Sequence, residues 1–231
     1  QRAAAPTDAE LDTMRAVVRR AMQDGAFGIS SALIYPPGSY ATTRELIEMP
    51  KAMAPFHGSY ITHMRSEDTQ LFEAMDEAFR IGREGGVTVD IYHLKAADRP
   101  NWGKAQRMVY KIDSARASGL DVAATMYPYA VSGNGLSACF PHWVAEGGKL
   151  LANLRDASIR ARVVAEMSQT GSCDPVRSTV IAVQGFRVDS LKKYEGWKMD
   201  APMGAMKLSA ADVAIELTLA ERGALGKINF S

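Results

Sequence analysis

The sequence lacks an excess of either charge: 27 Lys and Arg stand against 26 Asp and Glu, a formal net charge of +1 over 231 residues. No strong field is available for long-range steering, which disfavours nucleic acid and anionic membrane as partners. Cysteine is scarce. Cys139 and Cys173 lie far apart and fit neither a CxxC zinc spacing nor the disulfide framework of a small secreted domain. That usage favours a reducing, cytoplasmic location. No run is long and apolar enough to span a bilayer, and the opening Gln1-Arg2-Ala3-Ala4-Ala5-Pro6 has no apolar signal-peptide core. An initiator Met is missing as well, so further residues are expected upstream.

What is present is the composition of a globular domain, 47% hydrophobic and 23% charged. Thr7, with Glu10 three residues on, caps a helix whose apolar positions are Leu11, Met14, Val17, Val18 and Met22, and Gly25 ends it. Ala26 to Tyr35 is a short apolar run closed by Pro36-Pro37-Gly38, the mark of a buried strand and a loop. A helix over Arg44 to Met53 follows. The pattern then repeats with strand Ser59 to Met64, helix Gln70 to Glu84, strand Val87 to His93, helix Lys104 to Ser118 and strand Leu120 to Tyr127.

Strand centres spaced by about thirty residues are the span of one βαβ step, so the class is α/β with a parallel, barrel-like sheet. A doubly wound open sheet competes, although no glycine-rich dinucleotide-binding turn follows any strand. Residues 131–207 lose this regularity, keeping one modest helix near Ala157 to Met167, and are expected to form an insertion on the active face. A last helix runs from Ser209 to Gly223, and Lys227 to Ser231 opens a further strand. Three parts result: 1–130 as central βα units, 131–207 as insertion, and 208–231 as barrel helix and strand start.

His63 and His93 fall near the ends of successive strands, and adjacent parallel strands run roughly 5 Å apart. Two imidazoles at that spacing can converge on one ion, at the strand ends where barrel enzymes keep their chemistry. Neutral imidazole suits zinc. The alternative is a pair of partly buried histidines, each satisfied by a hydrogen bond. His57 and His142 lack the placement and read as surface or loop residues.

Six strings then carry a resemblance: Gly25-Ala26-Phe27-Gly28-Ile29-Ser30, Tyr35-Pro36-Pro37-Gly38, Thr62-His63-Met64-Arg65-Ser66-Glu67, His93-Leu94-Lys95-Ala96-Ala97, Asn101-Trp102-Gly103-Lys104 and Tyr127-Pro128-Tyr129. In this order they resemble the N-acyl-D-amino-acid deacylases (D-aminoacylases) of the amidohydrolase superfamily, most densely from Ala16 to Ser132. The resemblance implies a zinc-dependent (β/α)8 TIM-like barrel that hydrolyses an N-acyl-D-amino acid to a carboxylate and a free D-amino acid.

It implies that the chain is an internal stretch holding about strands 4 to 7. His63 and His93 would then be the metal ligands of the fifth and sixth strands. Lys95 would pair with the substrate α-carboxylate. Tyr127 and Ser132 would contact substrate, and Tyr35 would line the pocket. Arg65 and Glu67 would form a supporting pair that orients His63, an ordinary loop ion pair being the alternative.

The departures from that pattern are large. The family also needs a His-x-His pair, a metal-bridging Cys or acidic residue, and an Asp acting as general acid and base. No His-x-His occurs in the sequence, the Asp is expected beyond Ser231, and neither cysteine has the bridging position. The catalytic acid and base is therefore not assigned to any residue of this chain, and the partners it implies are an N-acyl-D-amino acid and the remaining barrel parts. Two other readings stand beside the deacylase. One is an amidohydrolase acting on cyclic amides, as dihydropyrimidinases and dihydroorotases do. The other is a non-catalytic truncated barrel module.

Overall fold

Thr7 opens the first helix with a reciprocal cap: its hydroxyl accepts from the backbone N–H of Glu10, and the Glu10 carboxylate accepts from the backbone N–H of Thr7. The structure is a computed structural model that describes residues 4–97, 101–170 and 181–230. Cys173 and Ser231 lie outside the described residues. The chain divides into two compact units between Pro128 and Tyr129.

The first unit alternates helix and strand as the spacing predicts. Its elements are α1 (Asp8–Gln23), β1 (Gly28–Ala32), α2 (Thr43–Met53), β2 (Ser59–His63), α3 (Leu71–Gly85), β3 (Thr88–Ile91), α4 (Ala105–Ala117) and β4 (Val122–Ala124). All four strands are parallel and pair in chain order, β1-β2-β3-β4. The strands are shorter than the apolar runs that mark them. The last is the clearest difference: Leu120 to Tyr127 reads as one strand, but regular pairing stops at Ala124 and Tyr127 lies past the strand end.

One face of this sheet is covered by helices. Tyr60 of β2, Val89 and Ile91 of β3 and Val122 of β4 are buried against Met75, Phe79 and Ile81 of α3 and Met108 and Ile112 of α4. Alternation puts Ile61, His63 and Asp90 on the other face, where they are only half-buried. Strands buried on both faces would read as continuous apolar runs, and Ser59-Tyr60-Ile61-Thr62-His63 instead alternates.

The second unit holds β5 (Val131–Gly135), α5 (Leu150–Arg155), α6 (Ala157–Thr170), β6 (Ile181–Gln184), α7 (Asp200–Met206), α8 (Ala210–Ala220) and β7 (Gly226–Phe230). The strand begun at Lys227 does form, but it does not extend the parallel sheet. It is the middle of a three-stranded antiparallel sheet, with β5 and β6 on either side. Strands of four or five residues, one of them with two glycines, carry too little alternation to reveal direction. The helix assigned to the barrel, α8, packs Val213, Ile215 and Leu217 into one core with Val144, Leu154, Val163 and Met199, so the division expected at 207/208 is not a boundary between cores. Ser209 caps this helix through Asp212, as its sequence predicts.

Two carboxylates order the loop after β6. Glu195 accepts from the backbone N–H groups of Gly185 and Phe186, and buried Glu221 accepts from those of Arg187 and Val188. Among the described residues, no helix is long and apolar enough to cross a membrane.

Gly28 sets how closely β1 approaches β2. A Cβ there would lie 1.9 Å from the carbonyl oxygen of Ser59, a backbone atom that cannot swing away. Gly28→Ala is therefore expected to destabilise the first unit by about 3 kcal/mol. Urea denaturation checks this, and an unchanged midpoint would show that β1 is not held at this spacing.

Candidate metal centre

The parallel register brings the ends of β2 and β3 level: Thr62 pairs with Ile91, and the backbone N–H of Tyr92 donates to the carbonyl of Thr62. His63 ends β2, while His93 sits two residues beyond β3 with φ +43°, a left-handed backbone that non-glycine residues adopt at a cost. Neighbouring backbone holds it there. The N–H of His93 donates to the hydroxyl of Thr125, and the N–H of Leu94 donates to the carbonyl of Thr125 at 2.7 Å. The left-handed turn aims the His93 ring at His63, with 4.3 Å between ring centroids and planes at 85°.

Each imidazole presents one nitrogen to the other ring and one to Glu67. His93 Nε2 and His63 Nδ1 are 3.0 Å apart, and Glu67 Oε1 lies 3.0 Å from His93 Nδ1 and 3.6 Å from His63 Nε2. His63 Nε2 is buried and has no hydrogen-bond partner among the described residues. An orphaned buried ring nitrogen is costly unless something absent from the chain completes it. One donor atom each from His63, Glu67 and His93 lies within 4.8 Å of the other two. Zinc–ligand bonds of about 2.0–2.2 Å in a tetrahedron imply donors roughly 3.3–3.6 Å apart, so these donors would draw closer around a zinc ion, and two imidazoles with a carboxylate are ligand types that zinc takes.

Charge follows the same logic. Burial lowers the His63 pKa to about 4; the Glu67 carboxylate opposes that shift, and the charges of His93 and Lys95 add to it. The ring is thus neutral at physiological pH, the form that ligates metals. Burial pushes the Glu67 carboxyl up, but the hydrogen bond with His93 and the charge of Lys95 outweigh it and leave Glu67 below the usual carboxylate range.

Lys95, expected to face a substrate carboxylate, donates to Glu67 Oε1 at 2.6 Å and lies 2.9 Å from His93 Nδ1. Tyr127 stands beside it, with Lys95 Nζ 5.8 Å from its ring centroid and the His93 ring at 6.4 Å. Tyr35 meets the His63 ring edge-on at 5.2 Å. These residues converge on one place. Ser132 lies in the second unit, on β5 opposite Asn229. His57 and His142 are exposed.

The supporting pair is not the expected one. Arg65 pairs with Glu77 of α3 rather than with Glu67, at 2.9 and 3.0 Å, and spends its other donors on the carbonyls of Ser39 and Ala41. The chain leaves extended geometry after His63 and turns at Ser66-Asp68, where the Ser66 hydroxyl donates to the Asp68 carboxylate. That turn separates the directions of Arg65 and Glu67. Glu67 faces the histidines, and Arg65 clamps the loop after β1 to α3. Sequence spacing offered a signal for Glu67, which follows His63 by four residues, but none for Glu77, twelve residues beyond Arg65.

No protein-family model matches the sequence. Among curated relatives, D-aminoacylase of Alcaligenes xylosoxydans xylosoxydans is 43% identical over 129 residues, 56% of this chain and 26% of the relative. N-acyl-D-glutamate deacylase of the same organism is 35% identical over 127 residues, 55% of this chain and 26% of the relative. This chain therefore spans about a quarter of their length. Among solved structures, a D-aminoacylase studied for its binuclear metal centre superposes with TM-score 0.72 at 26% identity, over 98% of this chain and 39% of its own. The N-acyl-D-glutamate deacylase of Bordetella bronchiseptica, complexed with zinc and a phosphonate mimic of the tetrahedral intermediate, shares the fold, with TM-score 0.74 at 24% identity over the same shares.

Two measurements follow from this geometry. Arg65→Lys keeps the charge but loses the planar fork, leaving Glu77 and the Ser39 and Ala41 carbonyls short of donors; it should cost about 2 kcal/mol in urea denaturation, whereas a cost below about 0.5 kcal/mol would mean the clamp is dispensable. His63 takes up a proton more readily unfolded (near 6.5) than folded (about 4), so metal-free stability should fall as pH drops from about 6.5 towards 4 and level off below. His63→Gln should flatten that slope in urea midpoints measured against pH. An identical slope in the variant would assign the effect to other groups.

Proposed function

We propose that this chain contributes His63 and His93 to the zinc site of an N-acyl-D-amino-acid deacylase, a (β/α)8 amidohydrolase barrel of which residues 1–130 form central βα units. The observation that carries the reading is the convergence of two imidazoles and a carboxylate at the ends of adjacent parallel strands, with a buried ring nitrogen left open. The names of the relatives supply the substrate class. The curated relatives are named D-aminoacylase, N-acyl-D-glutamate deacylase and N-acyl-D-aspartate deacylase, and the structure at 26% identity is a D-aminoacylase, so the names favour acyl-D-amino acids over cyclic amides.

The reaction adds water across the amide, giving a carboxylate and the free amine of a D-amino acid. Zinc, when bound, lowers the pKa of its water and polarises the scissile carbonyl. The residues of this chain hold and orient. Burial keeps His63 neutral and ready to ligate, and Glu67 fixes the ring of His93 through Nδ1. Lys95 offers an ammonium to the substrate carboxylate, and Tyr127 and Tyr35 wall the same place. Proton transfer to the leaving amine belongs to an Asp that these 231 residues do not supply, as do further metal ligands. The remaining barrel parts are the chain's necessary partners.

The test is turnover of N-acetyl-D-amino acids, with their L-enantiomers and a hydantoin as controls. The complete reading frame should hydrolyse the D-substrates in a zinc-dependent way, and His63→Asn or His93→Asn should lower kcat/KM at least about a thousandfold. The 231-residue chain alone should be inactive. Activity in the complete protein that survives both substitutions would end the proposal.

A further inference from the structure

One carboxylate oxygen serves two neighbours. Glu67 Oε1 is 2.6 Å from Lys95 Nζ and 3.0 Å from His93 Nδ1, and it is the oxygen 3.6 Å from the open nitrogen of His63. Glu67 is almost fully buried, so water shares little of its charge, while Lys95 also reaches Nδ1 and the carbonyl oxygen of His93. With neutral imidazoles, Glu67 and Lys95 cancel. A divalent ion then adds two positive charges beside an ammonium that already occupies the only carboxylate reaching both rings among the described residues.

We propose that Lys95 competes with the bound ion for Glu67, so that the lysine sets how tightly the histidines hold metal and is released from Glu67 as the ion loads. This rests on the reading of His63 and His93 as ion ligands. Its physical basis is electrostatic. Like charges a few ångströms apart in a poorly hydrated place repel strongly, and a carboxylate shared with an ammonium is a weaker partner for an imidazole ligand or an ion. Release also has a use: an ammonium freed from Glu67 is available to a substrate carboxylate only when the ion is in place. Loading the metal would thereby arm the residue that anchors the substrate.

The experiment measures zinc affinity of the 231-residue chain by competition with a chromophoric chelator, for the wild type, Lys95→Met, Glu67→Gln and the double variant. Lys95→Met should bind zinc about tenfold more tightly. Glu67→Gln should bind it roughly 10- to 100-fold more weakly. If the lysine acts by occupying Glu67, removing it should help less in the Glu67→Gln background, where no carboxylate is left to compete for, so the two effects should not add; an equal or larger gain there would overturn the competition. Lys95→Gln, a second neutral variant, should reproduce the gain and separates charge from packing. Unchanged or weakened affinity in both neutral lysine variants overturns the proposal. The underlying reading fails separately if His63→Asn and His93→Asn leave zinc affinity at the wild-type value.

Discussion

The hydrogen-bonded register between β2 and β3 is the constraint on which the site depends. Pairing Thr62 with Ile91 brings both strands to an end at one level, so that the next residues on each can meet. A slip by one residue would turn His63 to the helix-covered face and bury an imidazole among Met75 and Phe79. The register is protected because the alternation of Tyr60 and Thr62 against Ile61 and His63 distinguishes the two faces. A side-chain bond adds to it: the Thr88 hydroxyl of β3 donates to the Ser59 hydroxyl of β2 at 2.8 Å.

Much of the first unit was legible because its signals are local. A capping box, glycines at helix ends and runs of helical period lie within a few residues of what they specify, and α1 to α4 fall where the pattern puts them, within a residue or two. Less was legible in the second unit. The partners of Gly226–Phe230 are about forty and ninety residues away, and nothing in five residues announces an antiparallel neighbour. The fate of Glu221, buried and bonded to a loop more than thirty residues earlier, is equally non-local.

The site shows the same contrast on a smaller scale. Strand-end placement points to His63 and His93 as candidates, since both lie at or just past the end of an alternating run, and the fold brings their rings together. The roles around them were decided by chain direction after the strands. Arg65 and Glu67 are two residues apart in sequence and look like partners, yet one bends back to the loop after β1 and the other points at the imidazoles. The positive φ of His93 is also invisible in the sequence, because the enrichment of histidine in that region does not single out one residue.

The sheet of the first unit is left with β1 and β4 as its outer strands, and with a face of half-buried Ile61, His63 and Asp90. An outer parallel strand offers an open ladder of amides to any extended segment of suitable length. A strand added at either edge would be held first by backbone bonds, so the sheet could accept it with little demand on the side chains of the incoming segment.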